Sequence, residues 1–125
     1  MIKPTESELE ILQILWQRGN RTVREVNEEL NKSRGGEVGY TTTLKIMQIM
    51  HEKGLIGRDD SAKTHIFTAI AIEKDTQKQL LDRFMDSVFK GSAMKMVMQA
   101  LGNEKTTPEE IAEIKKLIDE MENKK

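Results

Sequence analysis

Residues 40–68 constrain this chain more than any other stretch. Leu44, Met47 and Met50 recur at helical spacing, with Thr43 and Ile46 at the margins, and predict a helix over 41–53 with Thr41 as its cap. Gly54 follows at once, where a left-handed residue commonly ends a helix. Two runs of mixed apolar and polar residues come next, Leu55-Ile56-Gly57-Arg58 and Thr64-His65-Ile66-Phe67-Thr68, around the polar tip Asp59-Asp60-Ser61-Ala62-Lys63. They read as a two-stranded hairpin. A helix closed by glycine and followed directly by a hairpin carrying basic residues has the order of a winged helix-turn-helix. That architecture sets one helix in the DNA major groove and lays the hairpin, the wing, against phosphates.

The residues before this stretch supply the missing helices. Thr5-Glu6-Ser7-Glu8 is a capping box, in which the Thr hydroxyl accepts from the first turn while the Glu reaches back to the cap. Leu9, Leu12, Leu15 and Trp16 then recur along an amphipathic helix over 6–18, with Trp16 expected in the core and Gly19-Asn20 as the stop. Thr22-Val23-Arg24-Glu25 repeats the capping pattern, and Val23, Val26 and Leu30 mark a second, shorter helix. Residues 31–39, with three glycines and a serine, read as a loop whose basic members, Lys32 and Arg34, could reach phosphate. The expected fold is therefore mainly α: a winged helix-turn-helix of three helices and a two-stranded wing over 1–71.

The remainder, 72–125, reads as three more helices. Glu73 opens one that runs to about Phe89, with Leu81, Phe84, Met85 and Val88 on one face, and Gly91 breaks it. Residues 92–101 are apolar nearly all round (Met94, Met96, Val97, Met98, Leu101), which implies burial on more than one side. Thr107-Pro108-Glu109-Glu110 starts the last helix, with proline at the first helical position and a capping threonine before it. Its apolar residues are Ile111, Ile114, Leu117, Ile118 and Met121, a spacing too short for a coiled coil. Such full apolar faces exceed what one small chain hides, so 72–125 is expected to be a helical dimerisation domain built on Phe84, Val88, Met94, Val97, Met98, Leu101, Ile111, Ile114, Leu117, Ile118 and Met121. The alternative packs these helices back on the first unit.

Composition narrows the function. Of 125 residues 37% are hydrophobic and 33% charged, which suits a soluble domain with a core of its own. Cysteine is absent, which excludes disulfides, thiolate metal sites and cysteine nucleophiles, and fits a cytoplasmic protein. The N-terminus lacks the apolar run of a signal peptide, and no stretch is apolar enough to span a membrane. No phosphate loop, nucleophile elbow or paired acids appear, so no enzyme activity, catalytic residue or cofactor is expected. His51 and His65 are not at ligand spacing, and Met94, Met96 and Met98 alternate around a helix, so no metal site is expected either.

Net charge is −1 overall, and residues 1–71 hold ten Lys/Arg against ten Asp/Glu, so DNA binding has to rest on where the charges sit. On the third helix Thr41, Lys45, Gln48 and Glu52 form one outward stripe with Thr42 and Ile49 beside it. Lys and Gln can bond guanine or adenine edges, and Thr can bond phosphate or touch a thymine methyl. Thr41, Thr42, Lys45 and Gln48 are therefore candidate DNA contacts, and Glu52 is placed off the groove. Arg58 and Lys63, flanking the wing tip, suit phosphate, with Asp59-Asp60 partly cancelling them; Arg34 and Lys32 are further candidates.

These pieces in this order resemble the penicillinase-repressor (BlaI/MecI/CopY) family of bacterial winged-helix transcriptional regulators. The resemblance rests on residues 5–12 leading to Leu15-Trp16, on Thr22-Val23-Arg24-Glu25-Val26, on Tyr40-Thr41-Thr42-Thr43-Leu44, and on Lys53-Gly54-Leu55-Ile56 with Arg58. It implies a homodimer joined by C-terminal helices that binds a pseudo-palindromic, double-stranded operator and blocks transcription. Some members are released when a sensor protease, a further partner, cuts an Asn-Phe bond in the C-terminal helices. The matching place here carries Gln99-Ala100. Copper-responsive members use a C-terminal cysteine cluster that this chain lacks, and Ile49 stands where relatives often carry Arg. The competing reading is a winged-helix adaptor that binds protein and has little affinity for DNA.

Overall fold

The computed structural model describes residues 3–102 and 105–124, with the side chain of Arg34 left out. The helices α1 (Glu6–Arg18), α2 (Val23–Arg34) and α3 (Tyr40–Lys53) precede strands β1 (Ile56–Asp59) and β2 (Ile66–Ala69). Helices α4 (Glu73–Phe89), α5 (Ala93–Leu101) and α6 (Pro108–Glu122) follow. The chain divides into two compact units between Leu80 and Leu81, a boundary that falls inside α4.

In the first unit the three helices and the base of the hairpin surround one apolar core. Ile11, Leu12 and Leu15 of α1, Val23, Val26 and Leu30 of α2, and Met47 and Met50 of α3 meet Leu55, Ile56 and Phe67 there. Capping boxes set the start of α1 and α2, Thr5 with Glu8 and Thr22 with Glu25 each exchanging two hydrogen bonds. The same device opens α6, between Thr107 and Glu110.

Strands β1 and β2 pair antiparallel, Ile56 opposite Ala69 and Arg58 opposite Phe67. Opposed residues share a face. Ile56 and Phe67 on that face are buried, which anchors the wing to the helices. Arg21, in the α1–α2 turn, adds a bridge to the far side of β2, with its N–H and C=O both bonded to Phe67.

Several expectations need correction. Thr41 does not cap α3. The helix begins one residue earlier, at Tyr40, with extended Gly39 as its cap and no side-chain hydrogen bond there. Thr41 thus falls within the first turn with its side chain exposed. The inner face of α3 is centred on Thr43, Met47 and Met50, all 0% exposed, with Leu44 displaced to the edge. A threonine is tolerated at that depth because its hydroxyl has a partner, the Asn27 amide at 2.9 Å. Helix α2 extends to Arg34, so the loop is shorter than expected. Trp16 lies at the core boundary, half-buried, where its ring packs on the core and its indole N–H donates to the Ala71 carbonyl at 2.9 Å.

In the second unit α5 carries no buried residue, against the burial on more than one side that its composition implied. The reason is size: the C-terminal part of α4 with α5 and α6 supplies by itself too little surface to cover these faces. Among the described residues no helix is long and apolar enough to cross a membrane.

One polar contact ties the two ends of the helical trio together. The Glu8 carboxylate, 4% exposed, takes the Lys53 ammonium at 2.9 Å while its other oxygen accepts the Thr5 amide. Burial pushes the Glu8 carboxyl up, but the Thr5 amide, the Lys53 ammonium and the Thr5 hydroxyl outweigh it and hold the group below 4.5. A depressed carboxyl contributes stability that is complete above its unfolded value and is lost as pH falls through the folded one. Glu8→Gln keeps the capping box and removes the charge. It is expected to lower the free energy of unfolding by about 1–2 kcal/mol at neutral pH. In urea titrations the gap from the parent protein should close as pH drops well below 4.5.

Candidate nucleic-acid interface

Burial of Thr43, Met47 and Met50 fixes the rotation of α3 and so decides which side chains it presents. Thr41, Lys45, Gln48 and Glu52 lie on the opposite side, all exposed, with Thr42 and Ile49 next to them. Positions i, i+4, i+7 and i+11 follow one stripe of a helix.

The turn that delivers α3 is clamped by two α2 asparagines one helical turn apart, which sequence reasoning missed. Asn27 donates to the Val38 carbonyl at 2.9 Å as well as to Thr43, while Asn31 accepts the Val38 amide at 2.6 Å and donates to its carbonyl at 3.2 Å. Both backbone groups of Val38 are therefore satisfied by side chains. The turn between has three successive residues at positive φ, Gly35 at 77°, Gly36 at 100° and Glu37 at 88°. Glycine adopts this region without strain, and Glu37 is held there by the bonded neighbour. Asn-x-x-x-Asn before a glycine pair was the available signal.

Between the N-terminal turn of α2, α3 and the wing lies an open groove of about 450 Å³. Gln48, Arg58 and Lys63 of the expected contacts line it, together with Arg24, Tyr40, Thr64 and His65. Thr41, Thr42 and Lys45 stand on α3 outside it. Arg24 and Tyr40 were not singled out from the sequence; the Arg24 guanidinium lies 6.0 Å from the centre of the Tyr40 ring. Only the fold brings the start of α2 beside the start of α3. Lys32 lies on α2 and is exposed, with its ammonium 3.8 Å from Glu29. The Arg34 side chain lies outside the described residues.

At the wing the cations are not all free. Arg58 Nε is 2.7 Å from Asp60 Oδ1, and His65 Nε2 is 3.6 Å from the same oxygen. Asp59 instead accepts the Ser61 amide at 2.9 Å, which closes the turn and holds its carboxyl below the ordinary value. Among the described residues no group of three or more His, Cys, Asp or Glu could hold a metal ion. His51 is exposed on α3, and His65 sits just before β2.

Core helices, presented stripe and wing together make the winged helix-turn-helix, and comparison with known proteins adds the lineage. The family model described as penicillinase repressor matches residues 4–120. The chain belongs to the penicillinase repressor family. It is 24% identical over 121 residues to the penicillinase repressor of Bacillus licheniformis, covering 97% of this chain and 93% of that one. With the methicillin resistance regulatory protein MecI of Mammaliicoccus sciuri it shares 22% identity over 114 residues, 91% of each. Solved structures support the fold. A complex structure of hsRosR-S4 matches with a TM-score of 0.55 at 17% identity, over 78% of this chain and 85% of that one. A MarR family protein from Bacillus stearothermophilus matches with a TM-score of 0.52 at 19% identity, over 98% and 75%. The family is one of repressors rather than enzymes.

The asparagine clamp is testable through stability. Thr43→Val removes one buried acceptor and is expected to cost about 1–2 kcal/mol. Asn27→Ala removes three bonds, the two it donates to Val38 and Thr43 and the one it accepts from Asn31, and should cost more, about 2–3 kcal/mol. Chemical denaturation that ranked the two in the opposite order would show that the Val38 turn does not depend on Asn27.

Proposed function

We propose that this protein is a homodimeric transcriptional repressor that binds a pseudo-palindromic operator through α3 and the wing. The observation that carries this reading is the outward stripe of Thr41, Thr42, Lys45 and Gln48, exposed on a helix whose other side is locked in the core, beside a groove bearing Arg58 and Lys63. Lys45 and Gln48 have the donor and acceptor groups to read base edges, where a good bidentate contact discriminates by about 1–3 kcal/mol. Thr41, Thr42, Arg58 and Lys63 suit phosphate, as does Arg34, and such contacts fix register without reading sequence. Arg24 and Tyr40 join this set by position. Membership in the penicillinase repressor family supports the assignment.

The dimer rests on the second unit. Phe84 (50% exposed), Val88 and Met98 (66%) present apolar surface in the single chain, as do Met94, Val97, Leu101, Ile111, Leu117, Ile118 and Met121, with Ile114 half-buried. A second copy would cover these faces, and two-fold symmetry would then set a pair of α3 helices about one turn of duplex apart, roughly 34 Å. Residues 72–125 are read as the dimerisation domain and 1–71 as the DNA-binding one. The double variant Val97→Glu, Met98→Glu is expected to sediment as a monomer and to lose operator binding while keeping its helical signal. A dimer persisting in that variant would move the interface elsewhere.

Binding should show the signature of phosphate neutralisation. The observed association constant with DNA upstream of the protein's own gene should fall linearly with salt on logarithmic axes. That site should be preferred over random duplex by at least about tenfold. Lys45→Ala with Arg58→Ala should make the salt dependence shallower by about 1–2 and weaken operator binding by about tenfold or more. No retardation of that DNA even at low salt would refute the reading. It would favour the adaptor alternative, for which the balanced charge of 1–71, Ile49 on the presented face and the engaged Arg58 speak. Release by a sensor protease, the further partner that the resemblance implies, would have to act at Gln99-Ala100 in α5, where some members carry Asn-Phe.

A further inference from the structure

The wing holds its arginine in a closed pair. Strand alternation puts Arg58 on the same face as buried Phe67, so its guanidinium emerges at the rim of the groove rather than from the free back of the hairpin. Its side chain is 34% exposed, and Nε stands 2.7 Å from Asp60 Oδ1. That is a close ion pair between residues two apart in the chain. A phosphate that uses Arg58 therefore has to replace a carboxylate already in place.

We infer that Asp60 acts as a latch on Arg58, yielding it only to a phosphate presented in the register of a specific complex, and so suppresses sequence-independent binding. The inference rests on the DNA-binding reading above. A guanidinium and a phosphate matched in geometry form a bidentate fork of two parallel hydrogen bonds, where Asp60 now makes a single close ion pair. Loose electrostatic complexes on arbitrary DNA hold no phosphate in such a fixed place; they draw on counterion release from whatever cations are available. With Arg58 occupied, the wing offers them less. The exchange leaves the carboxylate a second partner, because His65 Nε2 stands 3.6 Å from the same oxygen. An imidazole N–H there can receive Asp60 once Arg58 turns to the duplex.

The adjacent acid supplies a control built into the chain. Asp59 bears the same formal charge on the same tip, but its oxygen closes the turn by accepting the Ser61 amide at 2.9 Å, while Arg58 is paired with Asp60. An asparagine at 59 can accept the same amide. Asp59→Asn and Asp60→Asn therefore remove equal charge, and only the second opens the latch.

The experiment measures binding of the full chain and both variants to a random-sequence duplex and to the DNA upstream of its own gene, over a range of salt. Asp60→Asn is expected to tighten random-duplex binding by about three- to tenfold and to steepen its salt dependence by up to about 0.9, one additional phosphate. Upstream-DNA affinity should change by less than about twofold, because in that complex His65 takes over Asp60 and offsets the pair that Arg58 gives up, so the preference between the two falls. Asp59→Asn should leave both nearly as in the parent protein, and Arg58→Ala placed on Asp60→Asn should abolish the gain. An unchanged random-duplex affinity in Asp60→Asn would overturn the latch. So would an equal gain in Asp59→Asn, which would make it bulk charge, or an equal gain on both DNAs. A parent protein that binds neither DNA would instead refute the repressor reading itself, and that result is read before any variant is compared.

Discussion

Everything the first unit presents follows from one buried face. Thr43, Met47 and Met50 of α3 are removed from water entirely, and they are surrounded by Ile11, Leu12, Val26 and Ile56 from three other elements. Burying side chains of this size yields on the order of 2 kcal/mol each, and packing tolerates little rotation of the helix about its axis. Rotation by one residue would bring Leu44 inward and turn Thr41 and Lys45 toward the flank. A helix that reads base edges needs that rotation fixed, because the hydrogen bonds that discriminate depend on direction as much as on distance.

Polar contacts finish what the core begins. Glu8 and Lys53 connect the first turn of α1 to the last turn of α3, and Asn27 and Asn31 hold the turn that enters α3. Each end of the presented helix is thus tied to a different neighbour. The charges that remain outside are nearly balanced in sum, so attraction to a polyanion depends on their arrangement. Arg24, Arg58 and Lys63 border one groove, and Asp60, paired with Arg58, sits where it governs how much of that charge is available.

Much of this was legible in the chain itself, for identifiable reasons. Capping boxes at Thr5 and Thr22 are local in sequence, and they do start α1 and α2. Gly54, at φ 82°, ends α3 as a left-handed residue. The hairpin followed from its polar tip, though the strands begin and end a residue or two from the expected places. What failed was finer. Thr41 looked like a cap because capping residues also suit a first turn, and Thr43 looked marginal because its burial depends on an amide sixteen residues away. The neighbourhood of Arg24, Tyr40 and Gln48 depends on the crossing of α2 and α3, which no local pattern encodes.

The amino-acid order alone determined the number and type of the helices, the hairpin and the apolar faces of the last three helices, because caps, periodicity and turn residues act over a few positions along the chain. Only the tertiary structure decided that Thr43 joins the buried face of α3, that the Val38 turn is held by two asparagines, and that Arg58 is engaged by Asp60 and not by Asp59. Those outcomes turn on angles between packed elements and on side-chain reach. A difference of one residue in rotation, or of an ångström or two in distance, changes the partner while the sequence pattern stays the same.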